Sequence, residues 1–375
     1  MSNVKDGYTF NSGAVLDNRI VMAPMVAQGS TKGGQVTDED LNYFRIRSDV
    51  AAMIITGAVA VEDGGRGFDN QIGASKDEEV AGLTKLAATM KEKGNKAIMQ
   101  LYHGGREAVG GYNLFHEVVA PSAIEFSFLP YIPRELTEEE IKRIITSFGE
   151  AAKRAIDAGF DGVEIHGANH YLLQQFFSKF SNHRTDQWGG SLENRMRFSL
   201  EILKEVKRVV KEYAKDDFIV GYRFCPEEIH GDNVGYDVSE SKQLIEKIVD
   251  EGLDYVHISV FASYDEKPAN SDKSFGQIFK ELVNNRAAVI IVSGIFSEED
   301  ANKALDHGDL VAIGRASLIE PHFAAKIKEG RSNEITTQVS PEILDSLALP
   351  KGLIAWILQE NSPLPPLPNL ESLKK

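Results

Sequence analysis

The chain has 375 residues, 42% of them hydrophobic and 26% charged, the balance of an ordinary soluble globular enzyme. A formal charge of −15 argues against nucleic acid as a partner, and a single cysteine, Cys225, excludes a disulfide framework or a zinc or iron–sulfur site made only of its own thiolates. The first residues lack the apolar core of a signal peptide and no run of about 18 apolar residues occurs, so a cytoplasmic enzyme with no membrane span and no metal site is expected.

Apolar runs of strand character alternate with helix patterns along most of the chain. Tyr8 to Leu16, with Asn11-Ser12-Gly13 at its centre, reads as a hairpin suited to plugging the mouth of a barrel. Arg19 to Ala23 is the first barrel strand and ends at Pro24-Met25. Thr37 with Asp40 marks a helix start. Met53 to Thr56 is the second strand, ending in Gly57-Ala58, where small residues serve either tight packing or the approach of a flat ligand. A helix from Glu78 to Lys93 ends at Gly94. Lys96 to Leu101 is the third strand, and Gln100 near its end needs a hydrogen-bonding partner in so apolar a setting. An amide both donates and accepts, which suits the edge of a uracil-like ring.

From His103 to Leu136 the rhythm stops in a long excursion rich in Gly, Pro and aromatics, read as an ordered cap over the site. Thr137 with Glu140 restarts a helix that ends at Gly159. Val163 to Ile165 is the fourth strand, followed by His166, Asn169 and Tyr171. Ligands of parallel α/β sheets bind beyond the carboxyl ends of the strands, so these three sit where chemistry is expected. A His and an Asn there can donate to one carbonyl oxygen, and a Tyr, with a pKa of about 10, can supply a proton beside it. A purely structural His166 is the bland alternative, and His170 competes for the functional role.

Ser191 caps a long helix to Tyr213, and Ile219 to Phe224 is the fifth strand, with Arg223 at its end. Asp237 with Glu240 starts a helix to Glu251, Tyr255 to Val260 is the sixth strand, and Phe261 to Ser274 is a polar, mobile loop. Val289 to Val292 is the seventh strand, ending in Ser293-Gly294, and Ser297 with Asp300 caps a short helix. Leu310 to Ile313 is the eighth, ending in Gly314-Arg315, with a last helix near Ile319. Loops after the seventh and eighth strands of such barrels commonly hold phosphate, and Gly294, Gly314 and Arg315 supply free N–H groups and a forked cation. Turn glycines beside a surface Arg are the bland alternative.

The architecture expected is a single α/β domain, a TIM (β/α)8 barrel over residues 18–330 with an N-terminal hairpin and a long capping excursion after strand three. Residues 331–375 form a C-terminal extension whose last part, with Pro363, Pro365, Pro366 and Pro368, is expected to be extended, along the barrel or toward a second subunit of a homo-oligomer. A phosphate site, a polar-edge contact at Gln100 and Arg223, and small residues at Ala58 describe flavin mononucleotide better than a sugar phosphate. A flavin-free phosphosugar enzyme leaves Gln100 and the His166/Asn169/Tyr171 trio without a joint role.

The motifs NRIVMAPM (from Asn18), QLYHGGR (from Gln100), EIHGANHYLLQQFFSKFSNHRTDQWGGSLENR (from Glu164), YRFCPEE (from Tyr222), VSG (from Val292) and AIGR (from Ala312) occur in this order. Together they resemble the Old Yellow Enzyme family of FMN-dependent ene-reductases. The resemblance implies non-covalent FMN, reduction by NADH or NADPH, and hydride transfer from the flavin to the β-carbon of an electron-poor alkene. It also implies that His166 and Asn169 hold the substrate oxygen, with Asn169 rather than His170 as second donor, and that Tyr171 protonates the α-carbon. Pro24, Met25, Ala58, Gln100, His166 and Arg223 would contact the flavin ring, and Ser293, Gly294, Gly314 and Arg315 its phosphate end. The same donors serve other acceptors, so a quinone- or oxygen-handling flavoprotein is the second reading.

Two positions depart from the pattern. Gln28 stands where some bacterial members carry a Tyr, and Val26 where members often carry a Thr or Cys that tunes the flavin. Val26 has no hydrogen bond to donate, so Val26→Thr is expected to raise the flavin's reduction potential in a redox titration; an unchanged potential would refute this.

Overall fold

The structure, a computed structural model, describes residues 2–360, 362 and 364–374. The chain opens with an antiparallel pair, β1 (Tyr8–Thr9) and β2 (Val15–Leu16). There follow β3 (Ile20–Met22), β4 (Met53–Ala60), β5 (Lys96–Tyr102), β6 (Val119–Ala120), β7 (Arg134–Glu135) and β8 (Gly162–Gly167). Then come β9 (Ile219–Phe224), β10 (Glu228–His230), β11 (Asn233–Tyr236), β12 (Tyr255–Ile258), β13 (Ala288–Val292) and β14 (Leu310–Ile313). Eight of these close a parallel barrel in the order β3-β4-β5-β8-β9-β12-β13-β14. The chain is therefore a TIM barrel.

The barrel strands are buried on both faces, which is why they read as continuous apolar runs rather than alternating ones. Helices cover the outside. Glu138–Asp157 buries Ile141, Ile144 and Phe148, and Leu192–Tyr213 buries Phe198, Ile202 and Val206. The first is started by a full capping box between Thr137 and Glu140, the second by Ser191 accepting from the Asn194 N–H.

Carboxylates stitch the amino-terminal rim. Asp161, Asp254 and Asp309 each stand one residue before a strand, and each accepts the N–H of the second residue of the neighbouring strand. The partners are Ala97 (2.9 Å), Val220 (2.9 Å) and Val289 (3.0 Å). Asp254 also accepts from the Ser12 N–H at 2.9 Å, so the β1–β2 hairpin seals this end. The carboxyl end is left for the site.

Several boundaries differ from the sequence reading. β4 runs on through Gly57-Ala58 to Ala60 with a register shift, because Gly57 lies against the Met25 peptide where a Cβ would collide with its carbonyl oxygen. Tight packing is therefore one reason for that glycine. The helix expected over Glu78–Lys93 is confined to Val80–Met90, its first turn tightened to a 3-10 form. The last barrel helix starts at Arg315 rather than near Ile319, and a second follows at Phe323–Lys328.

Within the proline-rich tail, Asn361, Pro363 and Lys375 lie outside the described residues. The rest of the extension does not fray. Arg47, fully buried, donates to the carbonyls of Tyr43, Ser317 and Leu347, tying the extension to the barrel. Helix Lys351–Ile357 follows, and Pro368 accepts the Val339 N–H at 3.0 Å. Leu364, Pro365 and Leu367 then pass over the carboxyl mouth. Gly57→Ala is expected to lower stability by about 1–3 kcal/mol, since the rigid Met25 peptide has to move; urea denaturation checks this, and an unchanged midpoint would contradict the packing argument.

Candidate functional site

A cavity of about 290 Å³ lies at the carboxyl end of the barrel. All twelve site residues expected from sequence line it. Pro24, Met25 and Ala58 form one wall, Gln100 and Arg223 a polar edge, and His166, Asn169 and Tyr171 a second face. Ser293, Gly294, Gly314 and Arg315 form the far end. Val26 lines it too, whereas Gln28 does not. His170 does not line it either.

The donors at the second face have fixed directions. His166 Nδ1 accepts the Ala168 N–H at 3.2 Å, which places the ring proton on Nε2. Burial, with the Arg223 charge second, holds this imidazole well below its ordinary pKa, so it is a neutral donor at pH 7. Asn169 has φ of 57°, a left-handed conformation that Asn tolerates better than most residues. Its Oδ1 accepts from Ser259 Oγ at 2.8 Å, which leaves Nδ2 as the free end of the amide. Ser259 in turn accepts from Arg223 Nη2 at 3.2 Å. Tyr171 packs edge-on to Tyr102 with ring centroids 4.5 Å apart. Burial pushes the Tyr171 hydroxyl up to about 12, so it keeps its proton at neutral pH.

Beneath the cavity lies a charge cluster that the sequence reading passed over. Gln100 Nε2 donates to Glu164 Oε1 at 2.6 Å, and His257 Nδ1 lies 2.9 Å from Glu164 Oε2. Glu164 and His257 are fully buried. Burial alone would raise the Glu164 carboxyl, but His257, Arg223 and Gln100 hold it below its ordinary value. Burial pushes His257 down, and its Nε2 has no partner, as suits a neutral ring donating from Nδ1.

At the far end, Ser293 and Gly294 both have positive φ, 87° and 75°. Ser293 Oγ is tied to the Val260 carbonyl at 2.6 Å, and Arg315 Nη1 donates to the Pro366 carbonyl at 3.2 Å. The outer wall comes from segments not foreseen as site elements. Phe68 and Trp356 pack with centroids 5.0 Å apart, and Leu353, Leu364 and Pro365 continue it. The excursion after β5 contributes no residue to the lining: Tyr112 packs on Tyr131, and Phe126 on Phe180.

These features suit a flavin mononucleotide. Arg223 Nε is buried at the polar edge and has no partner among the described residues, and small or apolar residues form the walls. Glycine backbone and a guanidinium meet where a phosphate would sit. Comparison with known proteins agrees. The model of the NADH:flavin oxidoreductase / NADH oxidase family matches residues 9–334. The chain belongs to this family, that of the Old Yellow Enzymes. It is 40% identical to the probable NADH-dependent flavin oxidoreductase YqiG of Bacillus subtilis, over 92% of this chain and 93% of that one. It is 43% identical to the NADH:acrylate oxidoreductase of Vibrio harveyi over 87% of its length, but spans only 33% of that relative. The Old Yellow Enzyme homologue of Zymomonas mobilis shares the fold, with a TM-score of 0.77, 24% identity and coverage of 97% and 100% of the two chains. The protein is thus an FMN-dependent oxidoreductase that takes its electrons from NADH or NADPH.

Among the residues that sequence reasoning missed, Glu164 and His257 carried a usable signal: a polar residue inside an apolar strand, the same signal that marked Gln100. Ser259, Phe68 and Trp356 carried none. The buried histidines have a measurable consequence. His103, pushed down to about 4 by burial, His166 and His257 stay neutral in the folded chain, so the unfolded chain binds protons first as pH falls. Their contribution is complete above the unfolded pKa of about 6.5 and is lost progressively below it. The urea midpoint, at constant FMN, is expected to fall between pH of about 7.5 and about 5.5, each histidine adding up to about 1.4 kcal/mol per pH unit. A flat midpoint would mean that these rings are charged when folded.

Proposed function

We propose that this chain reduces electron-poor alkenes, α,β-unsaturated carbonyl or nitro compounds, at the cavity described above. The observation that carries the reading is the pair of pre-set donors. His166 Nδ1 and Asn169 Oδ1 are already engaged, so Nε2–H and Nδ2–H are the ends left to meet one substrate oxygen. Two such donors draw electron density toward that oxygen and make the β-carbon electrophilic, and fixed donors cost no reorganisation as charge develops. FMN held in the cavity would supply the hydride chemistry, with NAD(P)H as the electron source.

Tyr171 then supplies the proton at the α-carbon. Its hydroxyl is protonated across the neutral range, and a half-buried acid beside the developing enolate can deliver its proton directly. Gln100 and Arg223 would hold the polar edge of the ring, with Arg223 opposing the negative charge of its reduced form. Pro24, Met25 and Ala58 would lie along the ring. Ser293, Gly294, Gly314 and Arg315 would hold the phosphate end. The Vibrio harveyi relative is named for acrylate, an electron-poor alkene, which agrees with this substrate class. That relative is about three times as long as the stretch it shares with this chain, so its activity is support by analogy.

Anaerobic NADH is expected to bleach the flavin band of the purified protein, and 2-cyclohexenone to restore it. Tyr171→Phe should bleach equally well but recover with the enone at least about 10²-fold more slowly. Recovery of Tyr171→Phe at the unchanged rate would remove the tyrosine from the mechanism. Bleached wild-type protein that responds to a quinone or oxygen but not to the enone would replace the alkene by those acceptors.

A further inference from the structure

His170 is the residue of the HGANHY run for which the flavin chemistry has no use. It is not in the cavity lining, yet its backbone has φ of 64°, directly after Asn169 at 57°. A left-handed conformation is strained for a residue with a β-carbon, and glycine is the residue that avoids it. Histidine tolerates this conformation better than most residues, so the case for a use of its ring rests on what the ring meets.

The ring meets Glu228 and, beyond it, His230. His170 Nδ1 is 3.6 Å from Glu228 Oε2, and His230 Nε2 is 3.3 Å from Glu228 Oε1. The three ligand atoms all lie within 4.8 Å of one another. A register shift in the β10–β11 hairpin falls between Glu228 and Ile229. The carboxylate is held from behind, accepting from Gln174 Nε2 at 2.7 Å and Ser178 Oγ at 2.8 Å. Gly235 makes the room, since a Cβ there would come within 2.9 Å of the Glu228 carboxyl. The His230 ring is flanked by Phe180 at 4.8 Å and by His170 at 5.3 Å between centroids.

This is the pattern of a ligand with its own support: a buried carboxylate oriented by two donors, between two imidazoles. Glu228 is 1% exposed at its side chain, whereas His170 and His230 are 35% and 38% exposed, which leaves water free to complete a coordination shell. A carboxylate between the two rings opposes an anion and favours a cation. Two imidazole nitrogens and one carboxylate select a borderline transition ion over Mg²⁺ or Ca²⁺. Ligand atoms of tetrahedral zinc stand about 3.3 Å apart, so two of the contacts are near that spacing and rotation of the exposed rings closes the third.

We propose that His170, Glu228 and His230 bind a divalent transition-metal ion of the Zn²⁺ or Ni²⁺ class, bridging the turn after β8 to the β10–β11 hairpin. The ion would clamp the turn that carries Asn169 and Tyr171 and so couple its occupancy to the neighbouring cavity. The site is independent of which substrate the flavin reduces.

Isothermal titration of the untagged, FMN-loaded full chain with Zn²⁺ and with Ni²⁺ tests this. One equivalent should bind saturably, excess Mg²⁺ should not displace it, and His230→Ala should weaken it at least tenfold. His170→Gly should weaken it equally while keeping or raising the melting temperature, because glycine relieves the left-handed strain; loss of binding there cannot be blamed on unfolding. No saturable binding of either ion, or binding that both variants leave unchanged, would overturn the site.

Discussion

The carboxylate of Glu164 is the constraint on which the rest of the site depends. It is fully buried in the barrel, where an ionised acid is tolerated only if every lone pair is answered. Gln100 from β5 and His257 from β12 answer it, and the Arg223 charge on β9 lies near enough to lower its pKa. Four consecutive strands, β5, β8, β9 and β12, are thereby tied together in rotation as well as in register. Removing one partner of such a buried pair typically costs about 3–5 kcal/mol, because the other is left uncompensated. The same bonds decide which atoms face upward. One N–H of Gln100 is used below, and Arg223 is held by Ser259, so the remaining polar atoms of both serve the cavity.

A second relay fixes the His166 and Asn169 face of the cavity. Arg223, Ser259 and Asn169 form a chain of donors whose last acceptor is the Asn169 carbonyl oxygen, so the amide cannot flip without breaking it. His166 is set by a backbone N–H instead. The rotamers of these cavity side chains are therefore over-determined by their hydrogen-bonded neighbours. Asn169, His170 and Ser293 at the carboxyl rim have left-handed backbone, while the amino rim is stitched by Asp161, Asp254 and Asp309.

Much of this was legible before any coordinates. Gln100 and Arg223 stood out as polar residues in buried strands, and His166, Asn169 and Tyr171 by their place at a strand end. The residues that support them were harder to read, for different reasons. Glu164 sits in Val163-Glu164-Ile165, which reads as one short apolar strand without a role for its carboxylate. Ser259 is a common residue at a common place. The outer wall from Phe68, Trp356 and Leu364 comes from segments almost three hundred residues apart, with no local pattern to join them. The excursion after β5 reads as a cap from its aromatic content, but Tyr112 packs on Tyr131, Phe126 packs on Phe180, and Phe115 and Phe128 are exposed, none of them in the cavity lining.

The sequence by itself determined the barrel, the strand ends at which chemistry gathers, and the family. Strand order in such a barrel follows chain order, buried parallel strands must be apolar throughout, and every polar exception is then conspicuous. Only the tertiary structure decided how the polar exceptions pair, which way each amide and imidazole points, and that the C-terminal extension walls the cavity. Those features depend on contacts between residues far apart in sequence, such as Glu164 with His257 and Phe68 with Trp356. No periodicity records such contacts. The same holds for His170, Glu228 and His230, which a hairpin and a turn bring within 4.8 Å although 60 positions separate the first from the last.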